Sequence, residues 1–166
     1  MTDDEYEALY TTLHRLEQRW LPAQPDPSEF FDWDPLPLKD FLVVMRVAMA
    51  ASRGRRFLDV GCGIGTKLAF MLGMGWDVAG IDRHKPYLDA AGELCPGAAL
   101  TCADARDVEF FDADIVYMYG PARDEPLRTE IERHVIERIA PGTVLVVPTR
   151  KLRFGLRQLA PEVWVK

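Results

Sequence analysis

Apolar positions recur along this chain with two different periods, and the change from one to the other marks its organisation. Tyr6, Leu9, Tyr10, Leu13, Leu16 and Trp20 return at steps of three and four, which predicts an amphipathic helix over residues 3–19 with Thr2 or Asp3 as its cap. A connector follows in which Pro22, Pro25, Pro27, Pro35 and Pro37 alternate with Phe30, Phe31 and Trp33. Proline excludes regular structure there, while the aromatics carry too much apolar surface to lie free in water. Residues 1–36 are therefore expected to form a helix and a packed cap segment, leaving residues 37–166 as the main domain. Leu38 to Ala51 reads as a helix. From Arg56 onward short apolar runs alternate with helical patterns: strands near 56–60, 77–81, 98–102, 113–118 and 143–148, helices near 65–74, 85–95 and 123–140. Such alternation predicts an α/β fold with a doubly wound, mostly parallel sheet. Thr143-Val-Leu-Val-Val-Pro148 follows a Pro141-Gly142 turn and is apolar on both faces, as a buried parallel strand is.

Composition narrows the function classes. The net charge of −6 is unevenly placed: residues 1–40 carry three basic and ten acidic groups, and residues 41–166 carry seventeen and sixteen. The body is nearly neutral and lacks the broad basic face of a duplex-binding domain, so nucleic acid is not the expected partner. Cys62, Cys95 and Cys102 are odd in number and follow neither a disulfide framework nor a zinc spacing. Free thiols in a reducing cytosol, and no metal site, are the expectation. The acidic start Met1-Thr-Asp-Asp-Glu is unlike a targeting signal, and the longest apolar run, Phe41 to Ser52, is interrupted by Arg46 and falls short of the ~20 residues of a membrane span. A cytoplasmic location without membrane attachment follows as the reading.

The chemistry concentrates in Phe57-Leu-Asp-Val-Gly61-Cys-Gly63-Ile-Gly65-Thr66. Three glycines at every second position stand between an apolar run and a helical pattern. Without side chains, such a turn lets a ligand lie on the backbone, and the helix behind it offers unpaired N–H groups. The next run, Asp77-Val-Ala-Gly-Ile81, stops at Asp82, an acid placed to receive the paired hydroxyls of a ribose. These residues resemble the class I (Rossmann-like) S-adenosylmethionine (SAM) methyltransferases over about Pro35 to Thr149. Asp59, Gly61, Gly63 and Gly65 match the family's first motif, Asp82 its ribose acid, and Asp104 in Thr101-Cys-Ala-Asp-Ala105 its acid near the adenine. A dinucleotide enzyme would space its glycines Gly-x-Gly-x-x-Gly, and here Thr66 occupies the last of those places.

What the resemblance implies is a cofactor site for SAM. The backbone at Gly61, Gly63 and Gly65 would lie along the methionine part, Asp59 would support its amino group, Asp82 would take the ribose hydroxyls, and Asp104 with Ala105 the adenine, with Cys62 and Arg83 as further cofactor-binding residues. Plainer readings stand beside these: Cys62 as a small filler, Asp104 as a helix cap, His84 as a cap beside Pro86, His14 and His134 as surface residues. The acceptor is expected near Asp114-Ile-Val-Tyr117-Met-Tyr119-Gly120-Pro121, because ligands gather at the carboxyl ends of parallel strands. That stretch lacks the Asn/Asp-Pro-Pro-Tyr of enzymes acting on base or glutamine amides. Tyr119 could instead offer its ring to an ammonium group. The Tyr-Gly-Pro loop, the charged helix behind it and the Asp34-Pro35-Leu-Pro37 entry are similar to a protein-lysine methyltransferase subset. A lysine amine is thus the leading acceptor, with a small-molecule N- or O-acceptor or a non-catalytic binding module as alternatives, and Tyr117 and Tyr119 as plain strand residues beside both. The family's sheet has seven strands. The eighteen residues after Pro148 have room for a short helix and one strand near 162–166, so the sheet is expected to be trimmed, with the N-terminal segment or a second subunit, as in a homo-oligomer, supplying the missing wall.

Overall fold

The computed structural model describes residues 2–20, 36–122, 124–148, 150–152 and 155–166. The proline- and aromatic-rich segment with Phe30, Phe31 and Trp33 lies outside the described residues, as do the side chains of Tyr6 and Trp20. Among these residues five α-helices, α1 (Asp3–Trp20), α2 (Leu38–Ala51), α3 (Thr66–Gly73), α4 (Lys85–Leu94) and α5 (Glu125–Arg138), accompany seven strands. These are β1 (Arg56–Val60), β2 (Asp77–Asp82), β3 (Ala99–Cys102), β4 (Ile115–Met118), β5 (Val144–Val146), β6 (Arg157–Ala160) and β7 (Val163–Val165). They form one sheet in the order β3-β2-β1-β4-β5-β7-β6. Strands β1 to β5 pair in parallel, and β7 is antiparallel to both β5 and β6.

The boundaries have local causes. Asp124 caps α5 by accepting Leu127 N–H at 2.9 Å, which starts the helix two residues later than the apolar pattern suggests. Strand β4 starts late because Asp114 turns its carboxylate onto Arg56, whose backbone N–H and guanidinium it receives. The three residues of β5 are fully buried, as their two-faced apolarity requires.

The expectation of a trimmed sheet is corrected. All seven strands are present, because β6 and β7 take only four and three residues and a tight Pro161–Glu162 turn joins them. Glu162 is at φ 65°, the left-handed region, and its carbonyl accepts Val147 N–H at 3.1 Å. The two faces of the sheet are covered unequally among the described residues. Helices α1 to α4 share a core with Phe57, Val78, Ile115, Tyr117 and Val146. On the opposite face α5 lies over Leu58, Val60, Val116, Met118 and Leu145, aided by Leu152 and Leu156 of the β5–β6 crossover, whose described residues contain no helix. Among the described residues no helix is long and apolar enough to cross a membrane.

Candidate functional site

The glycine turn sits at the carboxyl end of β1, the middle of the parallel region. Its first two N–H groups, of Gly61 and Cys62, both donate to Ile81 O at 2.8 and 3.1 Å, which ties the turn to the end of β2. Gly61, Gly63 and Gly65 have φ of 83°, 53° and 78°, a run of left-handed conformations that side chains oppose. Gly65 is the residue before α3 and packs against α4: a Cβ there would stand 2.9 Å from Ala91 Cβ. Cys62 turns its thiol beneath the loop, where a Cβ on Gly80 would meet it at 2.8 Å, so this cysteine builds the turn from below. Burial pushes its thiol well above the usual value.

Asp82 closes the turn from the other side. One carboxylate oxygen accepts Gly63 N–H at 2.9 Å and the other accepts His84 N–H at 2.8 Å. Burial pushes its carboxyl up despite these bonds. His84 is the residue before α4, makes no side-chain cap bond, and meets Tyr87 edge-on. Arg83 between them is exposed.

Asp59 is a strongly perturbed carboxyl beside the turn. It is 3% exposed, and its Oδ1 has no hydrogen-bond partner. Burial pushes its carboxyl up to about 7, with the Lys67 charge opposing and the Asp82 charge adding. An acid near neutrality beside a glycine turn is a candidate functional position. It faces the α1–α4 side of the sheet, with Tyr117 opposite it on β4.

Asp104 stands at the end of β3 and caps a short 3₁₀ turn, Ala105–Asp107, by accepting Arg106 N–H at 3.0 Å. Its side chain also pairs with the Arg106 guanidinium at 2.8–3.0 Å, which holds its carboxyl down at about 2. The plainer cap reading of Asp104 is therefore realised, while Ala105 opens the same turn. Tyr119 follows β4 half-buried, and the loop behind it reaches the glycine turn: a Cβ on Gly61 would find Pro121 Cα at 3.8 Å. The turn, Asp59, Asp82, the 3₁₀ turn and Tyr119 thus all stand at the carboxyl ends of β1 to β4. His14 is exposed and stacks on Tyr10, whereas His134 is half-buried with Nε2 2.8 Å from Val108 O.

One part of the arrangement escaped the sequence reading. Glu17 of α1, 2% exposed, accepts from Thr66 Oγ1 and Lys67 Nζ, both at 2.6 Å, in the first turn of α3. Helix α1 lies along α3, with Leu9 against Gly73. The signal was present: Leu9, Leu13 and Glu17 are spaced by four, which puts a carboxylate on the apolar stripe.

The fold has well-populated relatives. An amino pentose methyltransferase from Micromonospora echinaspora, solved with SAM bound, superposes with a TM-score of 0.57 at 24% identity over 72% of this chain and 55% of its own. A Pyrococcus horikoshii protein gives 0.57 at 19% over 74% and 58%, and the CcbJ methyltransferase of Streptomyces caelestis 0.56 at 18% over 70% and 55%. At these identities the likeness is one of fold, and the chain spans little more than half the length of each. No curated protein matches the sequence. The sequence pattern of a methyltransferase domain matches residues 57–142, just over half of the chain, and the chain belongs to that family.

Proposed function

We propose that this domain binds SAM across the carboxyl ends of β1 to β4 and directs its methyl group to an amine. The observation that carries the reading is Asp59: a buried carboxylate with an unpartnered oxygen, held beside a glycine turn, fits the ammonium of an amino-acid tail. The remaining cofactor contacts divide along the chain. Backbone at Gly61, Cys62, Gly63 and Gly65 follows the methionine part. The Asp82 oxygens, each holding one N–H, keep a lone pair apiece for ribose hydroxyls. Arg83 borders the ribose, and Ala105 with Asp104 meets the adenine edge, Asp104 sharing its carboxylate with Arg106.

SAM supplies an activated methyl group on a sulfonium. The protein's part is proximity: it aligns the nucleophile with that methyl and excludes water. Tyr119, at the rim beside Pro121, offers a ring face to an ammonium or methylammonium acceptor. A desolvated rim lowers an amine's pKa, which frees the lone pair that attacks. Helix α1, anchored by Glu17 at the start of α3, forms one wall of the site.

A small-molecule amine is the favoured acceptor, since a relative of the same fold acts on an amino pentose. A protein lysine is the second reading, resting on Tyr119 at the strand end. Calorimetry with SAM, S-adenosylhomocysteine and NAD tests the cofactor: binding of the first two and not of NAD is expected, and the reverse would overturn the assignment. A bound cofactor at a hundredfold excess over Kd should stabilise the fold by about 2.7 kcal/mol. Labelled methyl recovered in small molecules or in protein from an extract separates the two acceptors, and no turnover with any acceptor would leave a binding module.

A further inference from the structure

Tyr117 is a tyrosine where packing asks only for a phenylalanine. Its ring meets Phe41 edge-on at 5.1 Å and lies 6.3 Å from Phe57, both plain phenyl rings, in a core of aliphatic residues. The residue is 2% exposed, and its hydroxyl has no hydrogen-bond partner. Leaving a buried hydroxyl unbonded costs stability, so such a group in a folded core calls for a ligand or a water.

The second orphan stands next to it. Asp59 and Tyr117 face each other across the β1–β4 ladder, on the same side of the sheet. Neither bonds to the other. Among the described residues the cation beside them is Lys67, and its ammonium is already held by Glu17 at 2.6 Å and lies 3.5 Å from Thr66 Oγ1. Two buried, unpartnered oxygens, one on an acceptor-only carboxylate and one on a phenol, thus stand on paired residues of adjacent strands. A primary ammonium can donate one hydrogen to each.

We infer that Tyr117 is a specificity-determining residue of the cofactor site, its hydroxyl joining Asp59 Oδ1 to receive the primary ammonium of the cofactor's amino-acid end. This rests on the SAM reading and deepens it: selection for a ligand with an α-amino group is shared between two adjacent strands, and does not reside in the first-motif acid alone. Burial first, then Asp59, Tyr119, Glu17 and Glu162, push the phenol well above its ordinary pKa, so it stays neutral, with its oxygen lone pairs open to an ammonium.

The test compares two ligands with the same adenosine and thioether. S-adenosylhomocysteine carries the amino-acid end, and 5′-methylthioadenosine does not. Calorimetry on the wild-type chain and Tyr117→Phe should show the homocysteine ligand weakened about ten- to hundredfold, as loss of a hydrogen bond to a charged group implies. Methylthioadenosine should bind both proteins alike, and the melting temperature of the ligand-free variant should be equal or higher. Equal losses for the two ligands would mean that Tyr117 acts by packing and would overturn the inference, as would no loss for either. A wild-type protein that binds both ligands equally well would also refute it, while the SAM site itself would survive. Binding of neither ligand would remove the SAM reading and this inference together. Tyr117→Met, apolar and of similar reach, gives the same comparison should the phenylalanine variant not fold.

Discussion

Replacing Asp59 by asparagine should make the free protein more stable and the cofactor complex weaker. Burial holds the Asp59 carboxyl at about 7 in the folded chain, against 3.8 for an ordinary aspartate. The group faces Lys67, which pulls its pKa down and is itself paired with Glu17, and Asp82, which pushes it up, with Tyr117 close by. A carboxyl whose folded pKa is raised keeps its proton in the fold while the unfolded chain has lost it. Stability is thus greatest below about 4 and is lost as pH rises to about 7. Three pH units correspond to about 4 kcal/mol. Asparagine has nearly the same shape and no charge to desolvate, so the gain over wild type should approach that figure at pH 8 and vanish near pH 4. The cofactor responds in the opposite sense. An ammonium beside Asp59 favours the ionised form, so wild-type affinity should fall as pH drops through about 7, and the asparagine variant should lose about 2 kcal/mol of binding together with that pH dependence. Urea titrations between pH 4 and 8, paired with calorimetry, measure both. An asparagine variant less stable than wild type at pH 8, or one that keeps the wild-type pH profile of binding, would refute this reasoning.

Three further changes probe the frame around this acid. Asp82→Ala should weaken SAM binding by about 1–3 kcal/mol and also lower the melting temperature, because Gly63 N–H and His84 N–H lose their acceptor; wild-type affinity would remove Asp82 from the ribose. Gly65→Ala combines a φ of 78° with a Cβ 2.9 Å from Ala91 Cβ, and should cost at least ~1 kcal/mol of stability and impair binding, with circular dichroism reporting an intact fold. Glu17→Ala strands Lys67 as a buried charge and should destabilise by roughly 3–5 kcal/mol; Glu17→Leu with Lys67→Met should recover most of that in thermal melts if the ion pair is structural. The SAM affinity of that double variant then tells whether α1 is a wall of the site.

The parallel half of the fold was legible because its signals are local. Glycines, proline turns and apolar runs each fix a boundary within a few residues, and β1, β2 and α2 lie where the pattern puts them. The β6–β7 hairpin was not, for a physical reason. Strands of four and three residues are too short for a period to register, and their identity comes from pairing with β5 across the chain. The site divides likewise. The glycine turn, Asp59 and Asp82 are gathered by neighbouring strands of the sequence motif, while Glu17 reaches Thr66 and Lys67 from fifty positions away. A stripe of leucines predicts that α1 packs, but not against which helix. Asp104 illustrates the remaining limit: its place was foreseen, and its engagement with Arg106, two residues on, was decided by turn geometry.

The two bonds of Asp82 carry a consequence for how the site works in time. By grasping the glycine turn with one oxygen and the start of α4 with the other, this carboxylate fixes the turn in one shape before any ligand arrives. Little disorder remains to be lost when a ligand settles there, so affinity is not drained by ordering the loop. Capture then amounts to a lock already cut, and the rate of association is set by encounter and by whatever moves at the rim. It also fuses two duties in one residue. In the proposed site, a change at Asp82 that altered the ribose contact would also release Gly63 N–H and His84 N–H, so cofactor preference and the shape of the turn could not be varied separately.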